Sequence, residues 1–307
     1  MSTAEVYERL RPLMFSIAYR MLASVSEAED IVQEAFLRYY RAKSGAAGID
    51  SPKAFLCTVT TRLCIDQLRS ARVRRESYLG EWLPEPLLTD TSAPDPAGLA
   101  EQADSLSMAF LLLLERLSPV ERAVFLLHDV FGYDYGEVAG IVGKGEDNCR
   151  QLALRARRHV GEHRPRFEAS RGKREELADR FLRAVGDGDM DGLVTMLAAD
   201  VVVYGDSGGA SPSWPRPIAG RERAGRLLAG LGRQIRAVGV TIRRTEINGQ
   251  PGALLLDPAG NLINVLVLDI ADGQVRAVRS VINPDKLHHL GPLADVQGLR
   301  HGLRPKE

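Results

Sequence analysis

Cysteines number only three in 307 residues, aromatic side chains make up 6%, and 40 basic against 40 acidic residues leave no net charge. Each shortage excludes something. Cys57, Cys64 and Cys149 are an odd set without CxxC spacing, which removes a disulfide framework and a thiolate zinc site. Cys57 and Cys64 stand seven apart on one expected helical face, as reduced core thiols do. No apolar run approaches the roughly 18 residues that cross a bilayer. Ala109 to Leu114 is short and ends at Glu115, while Glu5, Glu8 and Arg9 stand where a signal peptide would be apolar. We expect a cytoplasmic protein with no membrane contact, no metal and no cofactor. The charge balance excludes a uniformly basic nucleic-acid coat.

What is present is locally ordered. With 45% hydrophobic and 26% charged residues the chain can bury real cores, and its length suits two or more domains. The basic residues are gathered: Arg69, Arg72, Arg74 and Arg75 end one helical pattern, and Arg150, Arg155, Arg157, Arg158, Arg164 and Arg166 end another. Such patches are the footprint of a duplex-binding module.

Residues 1–79 read as helical. Val6, Leu10, Leu13, Ile17 and Met21 make an amphipathic series. A helix from Glu27 to about Lys43 carries an apolar stripe of Ile31, Val32, Ala35 and Phe36, with Ser26 and Glu29 as its capping box. Asp30, Gln33 and Glu34 remain as a polar set on it; alone, such a set is an ordinary solvated face. Gly45 and Gly48 break the pattern in the loop Ser44 to Asp50, and Ser51-Pro52 opens a third helix with Phe55, Leu56, Val59, Leu63 and Leu68 inside. Residues 80–99, with Pro84, Pro86, Pro94 and Pro96, form an extended linker. The apolar WLPEP stretch (Trp82, Leu83, Pro84, Glu85, Pro86) either docks on a domain surface or makes a local clasp.

Residues 100–165 form a second helical module. Ser118, Pro119 and Glu121 start a helix, a turn at Phe131-Gly132 follows, then a short helix Tyr135 to Val142, a turn at Gly143 and Gly145, and a helix from Glu146 to about Val160. This is the form of a helix-turn-helix. His128, beside Leu126 and Leu127, reads as a core histidine. Residues 173–290 change character: a helix (Glu175 to Val185) precedes strands at Val201 to Tyr204, Val240 to Ile247, Ala253 to Leu256, Leu262 to Ile270 and Val275 to Ile282. Asn248-Gly249 and Asp272-Gly273 are hairpin turns. A helix-backed antiparallel sheet, an α+β domain, is expected, with a loosely ordered tail over 291–307.

Taken together, AEDIVQEAF (Ala28 to Phe36), ERLSPVERAVFLLHDVFGYDYGEVAGIVG and CRQLALRARRHV resemble regions two and four of extracytoplasmic-function sigma factors. WLPEP, NPDKL (Asn283, Pro284, Asp285, Lys286, Leu287) and the loop Asp206-Ser207-Gly208-Gly209-Ala210 resemble signatures of the subgroup with a C-terminal SnoaL-like extension. That loop departs from the subgroup's DGGGK at Ser207 and Ala210. The resemblance implies two all-α sigma modules followed by an α+β SnoaL-like, cone-shaped domain.

The same resemblance implies roles. Asp30, Gln33 and Glu34 would bind the clamp helices of the largest subunit of core RNA polymerase. Arg62, Asp66, Arg69, Arg72 and Arg75 would lie across the −10 element of promoter DNA, with the loop Ser44 to Asp50 capturing an unstacked base. Glu146, Asp147, Asn148, Arg150 and Gln151 would face the −35 major groove, and Arg155, Arg157 and Arg158 the backbone. Trp82 to Pro86, Asp206, Gly208, Gly209 and Asn283 to Lys286 would form an interdomain contact that regulates activity. SnoaL-like folds also include enzymes and ligand-binding proteins, so a helix-turn-helix protein with a catalytic or small-molecule-sensing domain is the alternative. No convincing His/Asp pair is found among the strands, although Asp206 and Tyr204 could sit at a pocket mouth.

Overall fold

A serine capping box, Ser2 with Glu5, starts helix α1 (Thr3–Leu22), which buries Val6, Leu10, Met14, Ile17 and Met21. The expected series had Leu13 in place of Met14; the buried stripe steps by four from Leu10, leaving Leu13 half-buried. The computed structural model describes residues 2–44, 49–76 (backbone alone from 71), 78, 80–89, 105–161, 170–209, 216–295 and 298. Most of the loop Ser44 to Asp50, residues 45–48, and the side chains of Arg72 and Arg75 lie outside the described residues. Two units result, Met1–Ser77 with Ala109–Arg164, and Tyr78–Met108 with Pro165–Glu307.

In the first unit, helix α2 (Val25–Lys43) is capped by Ser24, whose side chain accepts from the Glu27 amide, rather than by Ser26. The cause is Ala23 in the left-handed region (φ 56°), which turns the chain at once and places Ser26 already inside the first turn. Helix α3 (Pro52–Glu76) starts as expected, the Ser51 hydroxyl accepting from the Ala54 amide at 3.2 Å. Helices α4 (Met108–Leu114) and α5 (Pro119–Phe125) follow, the latter with the Ser118/Glu121 capping box and Pro119 in its first turn. A π-turn at Leu126–Val130 leads to α6 (Tyr135–Val142) and α7 (Glu146–Gly161).

These helices share side chains across a long stretch of sequence. The Arg62 guanidinium donates to the carbonyls of Ile141 (2.9 Å) and Gly140 (3.1 Å), capping the C-terminus of α6 from α3. Arg122, buried on α5, donates to the Met21 carbonyl at the end of α1 and pairs with Glu115. Burial pulls its guanidinium down to about 9. The Cys57 thiol lies 3.0 Å from the Tyr133 hydroxyl. Burial pushes the thiols of Cys57 and Cys64 up, which keeps them protonated and unreactive.

The second unit packs three helices, α8 (Arg171–Asp187), α9 (Met190–Met196) and α10 (Arg221–Ala237), on one face of a six-stranded sheet. Its strands are β1 (Leu197–Asp206), β2 (Ile218–Ala219), β3 (Thr241–Ile247), β4 (Gln250–Leu256), β5 (Leu262–Ala271) and β6 (Gln274–Val281), in the order β2-β1-β6-β5-β4-β3. Phe181, Val185, Leu193 and Leu228 from the helices meet Val203, Leu255, Leu266, Leu268 and Val278 from the sheet. The sheet is mixed, a correction to the antiparallel expectation: β1 runs parallel to β6 because α10 and three hairpin-linked strands separate them in sequence. Asn248-Gly249 and Asp272-Gly273 have positive φ at both positions, as two-residue hairpin turns require. The start of the tail is ordered too. The Leu262 amide donates to the Pro292 carbonyl and the Ala294 amide to the Leu262 carbonyl, at 2.8 and 2.9 Å.

Candidate functional site

The three signature segments of the second unit converge on one carboxylate. Asp206 ends β1 fully buried and accepts from four donors: the Tyr78 hydroxyl, the Leu83 amide at 2.8 Å, the Gly208 amide at 3.1 Å and the Lys286 ammonium at 2.7 Å. Lys286, 6% exposed, also donates to the Leu83 carbonyl. It lies over the rings of Trp82 (4.3 Å) and Tyr78 (4.9 Å), so aromatic faces and oxygens replace its water. Asn283 donates from its side chain to the Tyr78 hydroxyl and accepts from the Asp285 amide. Burial and the Asp206 carboxylate push the Tyr78 phenol up, holding it neutral as a donor.

Gly208 is required here twice over: its φ is +59°, and a Cβ would sit 2.5 Å from the Asn283 amide nitrogen. The ionic role of this loop is carried by Asp206 against Lys286, with Ser207 beside the pair, while the departure at Ala210 lies outside the described residues. Asp206 lies against the linker, in place of the pocket mouth considered from sequence. From Leu83 the linker continues across the sheet: Pro86 lends its carbonyl to His289, Leu87 exchanges bonds with Asn248, and Thr89 bonds Glu246 at the β3 edge. WLPEP therefore docks on a domain surface. Sequence reasoning missed Tyr78, Thr89, Glu246 and His289, which carry no motif; Asn248 was visible only as a turn residue, yet its side chain holds Leu87 and Leu106.

In the first unit the candidate residues are mostly exposed. Asp30 and Gln33 point outward from α2 and Glu34 pairs with Arg38 at 2.7 Å; Leu37 and Tyr40, 50% and 59% exposed, continue the same stripe. Asp66 and Arg69 form an exposed pair at 3.1 Å on α3, while Arg62 is engaged on α6 as described. On α7, Glu146, Asp147, Asn148, Arg150, Gln151, Arg155 and Arg158 are all exposed, opposite a buried face of Cys149, Leu152, Ala153, Ala156 and Val160. Arg150 pairs with Glu146 and stacks over the Tyr135 ring at 4.7 Å, and Arg155 reaches Glu121 at 3.4 Å. Arg157 is turned toward Asp129 and the Tyr135 hydroxyl. His128 stacks on Tyr135 and its Nδ1 lies 2.7 Å from the Tyr133 carbonyl, a structural role.

Residues 6–74 match the Sigma-70 region 2 family and residues 107–160 the Sigma-70 region 4 family. Over 291 residues the sequence is 36% identical to the ECF RNA polymerase sigma factor SigJ of Mycobacterium tuberculosis, covering 91% of each chain. This chain belongs to the extracytoplasmic-function sigma factors. A further sigma factor of that organism, described as probable SigI, is 32% identical over 282 residues, covering 91% of this chain and 93% of the relative. The crystal structure of Mycobacterium tuberculosis SigJ superposes with a TM-score of 0.74 at 34% identity, over 95% of this chain and all of that one. As an extracytoplasmic-function sigma factor, the chain is a promoter-specificity subunit of RNA polymerase, with the α+β domain as its third part.

Proposed function

We propose that this sigma factor docks on the clamp helices of core polymerase through the outward stripe of α2, with Asp30, Gln33 and Glu34 facing basic partners. Helix α3, through Arg62, Asp66, Arg69, Arg72 and Arg75, crosses the −10 element, and the exposed arc of α7 enters the −35 major groove. Arg150 and Gln151 carry the side-chain chemistry that reads guanine and adenine, and Arg155 and Arg158 that which holds phosphates. The factor works beside RNA polymerase in the cytoplasm. The observation that carries this reading is the exposure of all seven candidate side chains of α7 opposite a closed apolar face.

The SnoaL-like domain regulates without catalysis. Asp206, the carboxylate singled out from the sequence, already accepts four hydrogen bonds, which leaves it no acceptor site for general-base work. Instead, Asp206, Gly208, Asn283 and Lys286 clamp the linker that joins the two sigma modules. Run-off transcription with core polymerase tests the whole reading, comparing the full chain, a chain ending at Asp295 and a chain ending at Gly172. Loss of regulation only in the shortest chain supports it. Identical transcription by all three on several promoters removes the regulatory role, and transcription independent of core polymerase removes the sigma assignment.

A further inference from the structure

Helix α7 carries one exposed large apolar side chain among its described residues, Leu154, at 50% exposure. At about 100° per residue, Asp147, Gln151, Leu154 and Arg158 fall within roughly 60° of one another, on the side opposite Cys149, Ala156 and Val160. Asp147, Arg150, Gln151 and Leu154 repeat the i, i+3, i+4, i+7 spacing with which a recognition helix lines a major groove. A leucine exposed singly is ordinary on a protein surface. This one interrupts an outward arc otherwise made of charged and amide side chains, midway between Arg150 and Arg158.

Resting on the −35 reading of α7 proposed above, we infer that Leu154 is a specificity-determining residue that reads the 5-methyl group of a thymine in that element. A leucine side chain has no donor for a phosphate and no partner for a base heteroatom. In the major groove the apolar feature that distinguishes one base pair from the others is the thymine methyl. Covering that methyl with Leu154 removes apolar surface of both groups from water, and one methyl-sized increment corresponds to roughly a fourfold change in affinity. The contact acts as a filter: a cytosine at that position offers an amino group, which Leu154 cannot pair. Arg150, Arg155 and Arg158 set the approach, while Leu154 adds discrimination without a hydrogen bond.

The test removes a single methyl. A template is first selected by the full chain with core polymerase from a library randomised across the −35 element. Each thymine of that element, on either strand, is then replaced singly by deoxyuridine, and half-saturation of open-complex formation is measured for the full chain and for Leu154→Ala. Expected is one position where deoxyuridine weakens binding roughly fourfold for the unmodified chain and has no effect for Leu154→Ala. Leu154→Ala should keep its affinity for core polymerase and its thermal midpoint, since the side chain is exposed. An element with no methyl-sensitive position, or with a sensitivity that persists in Leu154→Ala, overturns the assignment.

Discussion

The two units of this sigma factor keep their important side chains in opposite environments. In the helical unit, Asp30, Gln33, Arg69, Arg150 and Gln151 project into solvent, and the ion pairs among the candidate residues, such as Arg69 with Asp66, are exposed, in contrast to the buried structural pair of Arg122 with Glu115. In the sheet unit, Leu83, Asp206, Asn283 and Lys286 are buried to within a few per cent, and their ion pair is sealed from water. Exposed groups are available to another molecule and contribute little to folding. Buried groups are already spent on one another, so altering them acts on the fold first and on function only through it.

The largest effect should come from breaking the sealed pair. Lys286→Met should destabilise the sheet unit by about 3–5 kcal/mol, because Asp206 is left charged and buried with one donor fewer; denaturant unfolding measures it. A loss below about 1 kcal/mol would erase the contrast between the units. Next, reversing Asp30 and Glu34 to lysine should weaken core-polymerase binding by about 3 kcal/mol through like-charge repulsion, with the thermal midpoint unchanged. Binding titrations at two salt concentrations check it, and unaltered affinity would reassign the docking surface.

Smaller still, Arg150→Ala should relax discrimination at one −35 position by about 1–3 kcal/mol. A uniform loss across all sequences would make Arg150 a phosphate contact. Least affected should be stability in Arg69→Ala: the exposed pair with Asp66 contributes at most about 0.5 kcal/mol, so promoter opening should fall while unfolding stays put. A clear drop in unfolding free energy would show that this face of α3 is not free for DNA.

The helical unit was largely legible in the sequence because caps and periodicity are local. Ser118-Pro119 and Ser51-Pro52 announced their helices, and α6 began and ended as expected at Tyr135 and Val142. Ser24 was missed as a cap since its role depends on Ala23 adopting a left-handed turn, which nothing in an alanine signals. The sheet unit was legible strand by strand but not in its pairing. That β1 lies beside β6 depends on contacts some 75 residues apart, and α10 was masked by its glycines and arginines. The signature motifs were visible as three separate strings. Their meeting at Asp206, with Tyr78 as a fourth member, depends on tertiary structure alone.

Arg62 and Arg122 turn the helical unit into a question of reach. A body of about 130 residues has a diameter of about 36 Å, whereas sites about 25 base pairs apart on a duplex lie about 85 Å from one another. If α3 and α7 contact the two promoter elements as proposed, a body held closed by Arg62 at the end of α6 and Arg122 at the end of α1 is too short to reach both at once. Stretching across a promoter would then require those two arginines to let go. Under that reading, an Arg62 guanidinium released from the carbonyls of Gly140 and Ile141 would be the donor that α3 offers to a phosphate.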